Sequence, residues 1–189
     1  HHHGAPLSVE TVNLRAPEMG EVEVTLKAVA ICHSDISYAD GAWGGQLPAV
    51  YGHEAAGHIT AIGAGVRGVA IGDTVVVTLI RACGACPSCA GGAPVICETA
   101  PLPDGPLTTA DGQPLAAAMN CGAFAERVVV DQSQIVRLPD TISMEAASLL
   151  ACGVITGVGA VVNAAKLRAG QDVVVIGAGG VGLNAIQGA

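Results

Sequence analysis

Four cysteines fall within fifteen residues, in the spacing Cys83-x2-Cys86-x2-Cys89-x7-Cys97, and nothing else in the chain restricts the fold as much. Gly84, Pro87, Gly91 and Gly92 lie among them and let the backbone wrap around an ion. Four thiolates suit zinc, whose filled d shell imposes no geometry beyond tetrahedral ligand packing. Such a site is closed to substrate, so the expectation is a structural zinc lobe over 83–97. An iron–sulfur cluster uses similar Cys-x2-Cys-x2-Cys runs and stands as the rival, with buried free thiols as the plainer alternative.

The seven cysteines are odd in number and no export signal precedes them, so reduced, metal-ligating thiols in a cytoplasmic protein are expected rather than disulfides. His1–His3 have the look of an affinity-tag end and are set aside. A net charge of −8 argues against nucleic acid, which needs a basic face. Mean hydropathy is +0.54, yet Gly, Pro, Asp or Arg breaks each apolar run, so no membrane span is expected. With only Tyr38, Trp43, Tyr51 and Phe124 as aromatics, the core must be built from Val, Ile, Leu and Ala.

Along the chain, Val22–Ala30, Ala55–Gly63, Thr74–Ile80 and Phe124–Val130 read as strands separated by glycine-rich turns. Glu98–Asn120 reads as a long Pro/Gly/Ala/Thr-rich loop, and Leu138-Pro139-Asp140 closes the β portion. A helix is predicted after a Ser143 cap and a second over Thr156–Ala165. Asp172–Gly177 then reads as a buried parallel strand, followed by a helix over Leu183–Gly188. Between the last two lies Gly177-x-Gly179-Gly180-x-Gly182, in the strand–turn–helix context that a dinucleotide-binding turn requires. Gly177 allows the turn, Gly179 admits a pyrophosphate to the backbone, and Gly182 allows close packing of helix on strand.

Three further segments are weak singly: Cys32-His33-Ser34-Asp35, Gly52-His53-Glu54-Ala55-Ala56-Gly57 and Cys152-Gly153-x2-Thr156-Gly157. Spacing cannot show that they meet; an isolated Cys is usually core, and Asp35 reads equally as a cap. Taken with the four-cysteine lobe and the glycine turn, their order resembles the zinc-dependent alcohol dehydrogenases of the medium-chain dehydrogenase/reductase superfamily, from about Val9 to Ala189. The wording around Cys152 is most similar to the formaldehyde dehydrogenase-like and bacterial alcohol dehydrogenase branch.

The resemblance implies an α/β protein: a GroES-like, β-rich catalytic domain over 4–150, then the start of a Rossmann doubly wound domain over 151–189. It implies two zinc ions, one held by Cys32, His53 and Cys152 with an open position, the other by Cys83, Cys86, Cys89 and Cys97. It implies that Ser34 takes the substrate proton, that Asp35 orients His53, and that Glu54 approaches the metal during ligand exchange. His33, Thr156, Gly177, Gly179, Gly180, Val181 and Gly182 would contact NAD or NADP, and Trp43, Leu79 and Phe124 would line the substrate pocket. The implied reaction is reversible oxidation of a small alcohol to an aldehyde or ketone by a homo-oligomer, a dimer or tetramer. Two features depart from well-known members: Ser37 stands where a relay histidine occurs, and His33 where an arginine is common. The acidic residue that grips the adenosine ribose comes about 20 residues past the turn, so these 189 residues alone are expected to hold cofactor weakly or not at all. A nicotinoprotein with a retained cofactor, a non-catalytic zinc-binding module and a zinc-ribbon nucleic-acid binder remain as alternatives.

Overall fold

A computed structural model describes residues 1–99 and 105–189. Its centre is a five-stranded antiparallel sheet in the order β8-β2-β4-β5-β9. These strands are β2 (Glu21–Ala30), β4 (Glu54–Ile62), β5 (Thr74–Val77), β8 (Arg127–Asp131) and β9 (Ile135–Arg137). Val22, Val24, Ala55, Ile59, Val75, Val77, Val128 and Val130 form one core cluster, all but Ile59 and Ala55 being valine. Short β-branched side chains fill a pleated surface densely, which is how a chain with four aromatics still makes a dry core.

The four strands anticipated from alternation are present, with β5 ending earlier, at Val77, and β8 starting later, at Arg127. A second sheet has the order β1-β6-β7-β3 and corrects the expected long loop. β1 (Val12–Leu14) and β3 (Ala49–Val50) flank a hairpin of β6 (Leu107–Thr109) and β7 (Pro114–Ala117). Leu107 and Leu115 are the only large apolar residues the hairpin buries, too few to show periodicity in sequence. Residues 100–104 of the expected loop lie outside the described residues.

Two helical segments expected apart are one continuous rod over Met144–Ala164. It comprises α3 (Met144–Leu149), capped by Ser143 Oγ accepting from Ala146 N at 3.3 Å, a π-helical stretch Leu150–Val154, α4 (Ile155–Gly159) and a second π stretch Ala160–Ala164. The expected boundary at 150/151 falls inside this rod. It is also, among the described residues, long and apolar enough to cross a membrane, contrary to the reading that such a stretch is missing. The rod packs along its length: α3 lies on β2 and β4, and α4 on α5 (Gly180–Gly188), where Gly157, taken as an interruption, is a packing notch. A Cβ at Gly157 would strike the Val181 carbonyl and Asn184. The expected strand Asp172–Gly177 makes no ladder with any described strand, and Val174 and Ile176 are exposed. A parallel strand exists only through neighbouring strands, and no described strand pairs with this segment.

Two features of this core predict measurable effects. Gly57 on β4 faces β2 so closely that a Cβ would overlap the Thr25 carbonyl oxygen. Gly57→Ala is expected to cost about 2 kcal/mol or more, read as a Tm drop of about 4–8 °C. Cys121 is buried, donates from Sγ to the Thr78 carbonyl at 3.2 Å, and has its thiol pushed up to about 12, chiefly by burial and then by the Asp35 charge. Its folded value lies above the unfolded one near 9.0, so stability is fully present below about pH 9 and is lost as pH rises toward about 12. Urea titrations are expected to show that decline in the parent and a shallower one in Cys121→Ala.

Candidate metal centres and cofactor turn

Past the end of β2, the chain turns at Cys32 into the helix α1 (His33–Ala39). Cys32 is the cap: its sulfur accepts from Ser34 N at 3.5 Å, and Asp35 Oδ2 accepts from Cys32 N at 3.0 Å. The other oxygen, Asp35 Oδ1, accepts from Gly52 N at 3.0 Å and from His53 Nδ1 at 3.2 Å. The two readings of Asp35, helix cap and histidine-orienting carboxylate, are therefore one arrangement. A carboxylate only accepts, so Nδ1 carries the proton and His53 offers Nε2 on its other side. The turn itself requires glycine at 52, where φ is +93° and a Cβ would meet the Phe124 backbone nitrogen and ring.

His53 and Glu54 are almost fully buried at the start of β4. Cys152 arrives from the opposite side, on the π-helical stretch of the long rod, a widened turn of the kind often found at functional sites. Ligand atoms of Cys32, His53, Glu54 and Cys152 all lie within 4.8 Å of one another. Glu54 is further tied to that rod, its Oε2 accepting from Gly153 N at 3.3 Å. The Cys152 thiol is pushed up to about 11, mainly by burial and then by Glu54 and Cys32. Two thiols that ionise to bind and a carboxylate, drawn this close, repel as anions, and a divalent cation relieves them with the imidazole as a neutral ligand. The donor set fits zinc.

A cavity of about 360 Å³ opens beside this cluster, walled by Ser34, Tyr38, Trp43, Leu79, Met119 and Ile155 among others. Trp43 and Leu79 lie where they were expected, with Tyr38 packed edge-on to Trp43 at 5.4 Å. Phe124 does not line the cavity; it sits behind Gly52. Tyr38, Met119 and Ile155 were not anticipated: Tyr38 and Met119 lie outside the motifs, and Ile155 fills an unspecified place between Gly153 and Thr156.

The sulfurs of Cys83, Cys86, Cys89 and Cys97 also lie within 4.8 Å of one another, and none is in a disulfide. Cys86 Sγ and Cys97 Sγ are 3.9 Å apart, close to the ~3.8 Å edge of a tetrahedron with Zn–S bonds of about 2.3 Å. Sulfurs on separate irons of a cluster would stand farther apart. Backbone N–H groups of Cys86 and Ala85 point at Cys83 Sγ, as does Thr99 Oγ1 at 3.1 Å. That hydroxyl is the foremost cause holding the Cys83 thiol down at about 6, whereas burial and the neighbouring Cys86 push Cys89 up to about 12. The lobe stands apart from the cavity.

In the glycine turn, Gly177 has φ +102° and a Cβ on Gly182 would strike the Gly177 carbonyl. Gly179 and Gly180 meet nothing, so their side of the turn is open to a ligand at the first turn of α5. Thr156 lies on α4 with its Oγ1 3.9 Å from Cys152 Sγ, and Val181 abuts the same helix at Gly157. His33 is exposed on the first turn of α1. The residues present fit a dinucleotide at this turn.

Residues 18–140 match the family described as the alcohol dehydrogenase GroES-like domain. The chain is 38% identical to the alcohol dehydrogenase class-3 of Cereibacter sphaeroides, covering 98% of this chain and 52% of that protein. It is also 38% identical to the NDMA-dependent alcohol dehydrogenase of Amycolatopsis methanolica, over 100% of this chain and 53% of the relative. A crystal structure of an alcohol dehydrogenase zinc-binding domain protein from Burkholderia ambifaria superposes with a TM-score of 0.92 at 36% identity, covering 98% of this chain and 53% of that one. The chain thus spans about half the length of the relatives it matches. The β-rich fold, the convergence of thiols and imidazole at its cavity and this extent of similarity agree: the chain belongs to the GroES-like alcohol dehydrogenase family.

Proposed function

We propose that the chain is the zinc-bearing catalytic part of an alcohol dehydrogenase that passes hydride between a small alcohol and NAD or NADP. The observation that carries this reading is the meeting of Cys32, His53, Glu54 and Cys152, from three distant segments, within 4.8 Å beside a cavity of about 360 Å³. Cys32, His53 and Cys152 would hold a catalytic zinc, and Cys83, Cys86, Cys89 and Cys97 a structural one. Zinc at the first site supplies Lewis acidity toward a substrate oxygen.

The chain's own residues do the rest. Asp35 fixes the His53 tautomer and ring plane. Ser34, on the cavity wall, receives the substrate proton, and with Ser37 in place of a relay histidine that proton passes on through water or cofactor hydroxyls. Glu54 stands ready to replace a departing ligand. Leu79, Ile155 and Trp43 exclude water from the reacting carbon. Thr156 and Val181 press on the nicotinamide, His33 meets the pyrophosphate, and Gly177–Gly182 receive it. Residues 4–150 act as the catalytic domain and 151–189 as the opening of the dinucleotide domain, in a cytoplasmic homo-oligomer.

Metal analysis of this chain and an alcohol panel with NAD and NADP on the full gene product test the proposal. About two zinc ions per chain and cofactor-linked turnover support it; about one zinc and no turnover leave a non-catalytic lobe. The NDMA-dependent relative favours a second reading, in which the cofactor stays bound and an external acceptor reoxidises it. Cofactor retained through desalting of the full gene product distinguishes it.

A further inference from the structure

Cys152 reaches the candidate metal centre from the π-helical stretch Leu150–Val154, and both peptide groups that flank it are held from the sheet. On one side the Thr78 hydroxyl donates to the Ala151 carbonyl at 2.9 Å. On the other, the Gly153 N–H donates to Glu54 Oε2 at 3.3 Å. Thr78 directly follows β5 and Glu54 begins β4, so two neighbouring strands grip the turn on either side of the thiol. Thr78 is the only polar residue in Val75–Ile80, and its partner lies 73 residues away.

The hydroxyl meets a carbonyl whose α-helical partner has gone elsewhere. In an α-helix the Ala151 carbonyl would accept from Ile155 N, four residues on. Here the Ile155 N–H bonds to the Cys152 carbonyl instead. Ala151 is only 2% exposed, so solvent offers its carbonyl little in exchange, and a buried carbonyl left unmet is costly. A widened turn at this depth therefore needs a donor from outside the rod.

Thr78 is itself pinned, which aims its hydroxyl. Its N–H donates to the Gln134 carbonyl at 2.9 Å, and its own carbonyl accepts from Gln134 Nε2 at 3.0 Å and from Cys121 Sγ at 3.2 Å. Gln134 and Cys121 are both buried, and a β-branched side chain has few rotamers to choose from. Leu79, the next residue, lines the cavity.

We infer that Thr78 is a positioning residue for the metal centre: its hydroxyl holds the widened turn open so that Cys152 faces Cys32 and His53. This rests on the reading of that centre as a zinc site, given above. Thr78 acts through Cys152. Without the hydroxyl, the Ala151 carbonyl draws the Ile155 N–H back toward ordinary α-helical bonding, and the Cys152 side chain turns with it.

The test titrates the metal-free full gene product with zinc against a chromophoric chelator under reducing conditions, with Cys152→Ala marking the share bound by the 83–97 lobe. Thr78→Val keeps the shape and removes the donor; zinc affinity at the cavity site is expected to fall about 10–100-fold, with the lobe unmoved. Thr78→Ser restores the donor and is expected to recover most of that loss. Should Thr78→Val fail to fold, judged by circular dichroism, Thr78→Ala takes its place with the same expectation. Loss of the fold in both would make Thr78 a residue of the core and overturn the inference. So would an unmoved cavity affinity in a folded variant, an equal loss at the lobe, or Thr78→Ser as weak as Thr78→Val, each leaving the dehydrogenase reading intact. A parent protein that binds only about one zinc ion per chain overturns both.

Discussion

Replacing Cys152 by alanine is expected to lower bound zinc from about two ions per chain to about one, and alcohol turnover in the full gene product by about 10³-fold or more. Cys152 is the only sulfur that reaches the Cys32–His53 pair from the long helical rod, so no described neighbour replaces it except Glu54. Glu54 can take a vacated position only by giving up its bond from Gly153 N, which suits a passing exchange and not lasting retention of the ion without the thiolate. The lost ion is expected from the cavity site alone, because three of the four sulfurs of the 83–97 lobe accept from backbone N–H groups of the lobe itself. Metal analysis with thiol titration reads the result directly. Two zinc ions retained, with turnover unchanged, would remove Cys152 from the ligand set. Zinc uptake at this site is also expected to release protons, since the metal-free Cys152 thiol stands at about 11 and must ionise to bind; apparent affinity therefore rises with pH through neutrality.

Asp35→Ala should be nearly as damaging, through position rather than ligation. The carboxylate accepts from three donors, Cys32 N, Gly52 N and His53 Nδ1, and is only 3% exposed. Removing it leaves those groups buried without a partner, at about 1–3 kcal/mol each, and frees the His53 ring to rotate. A combined stability loss of about 3 kcal/mol or more is expected by urea unfolding, with zinc affinity at the cavity site down about 10–100-fold. Asp35→Asn separates the two roles. With its oxygen in the place of Oδ1 the amide keeps Gly52 N and His53 Nδ1 while its NH2 opposes Cys32 N, so the ring stays oriented and metal affinity should recover further than stability. Equal recovery of both would show that Asp35 matters only as a helix cap.

Much of the site was legible in the sequence because its parts carry short, chemically specific patterns. The sulfur lobe needs only local chain, and its four cysteines are neighbours in sequence and in space. Ser143 caps a helix by a contact three residues away, which spacing alone predicts. Gly177 and Gly182 meet each other across a single turn. What failed were elements whose definition is non-local. The β6–β7 hairpin gains its register from β1, about 95 residues earlier in the chain, so its own residues give no alternation. Glycines in the rod read as breaks, though Gly157 is where the continuous rod packs on α5. Phe124 was placed in the pocket by family position, yet the tight turn at Gly52 takes its ring instead.

By itself, then, the sequence determined which atoms are available: four sulfurs in one loop, the Cys32 and Cys152 thiols, the His53 ring and a phosphate-ready turn. It also determined an aliphatic core, because so few aromatics were there to fill it; that valine predominates there came from the fold. Only the tertiary structure decided that Cys32, His53, Glu54 and Cys152 meet and that one carboxylate serves cap and histidine together. The reason is physical. Ligand geometry inside one loop is set by a few backbone torsions, whereas convergence across about 120 residues is set by strand pairing and helix packing, energies that no local pattern contains.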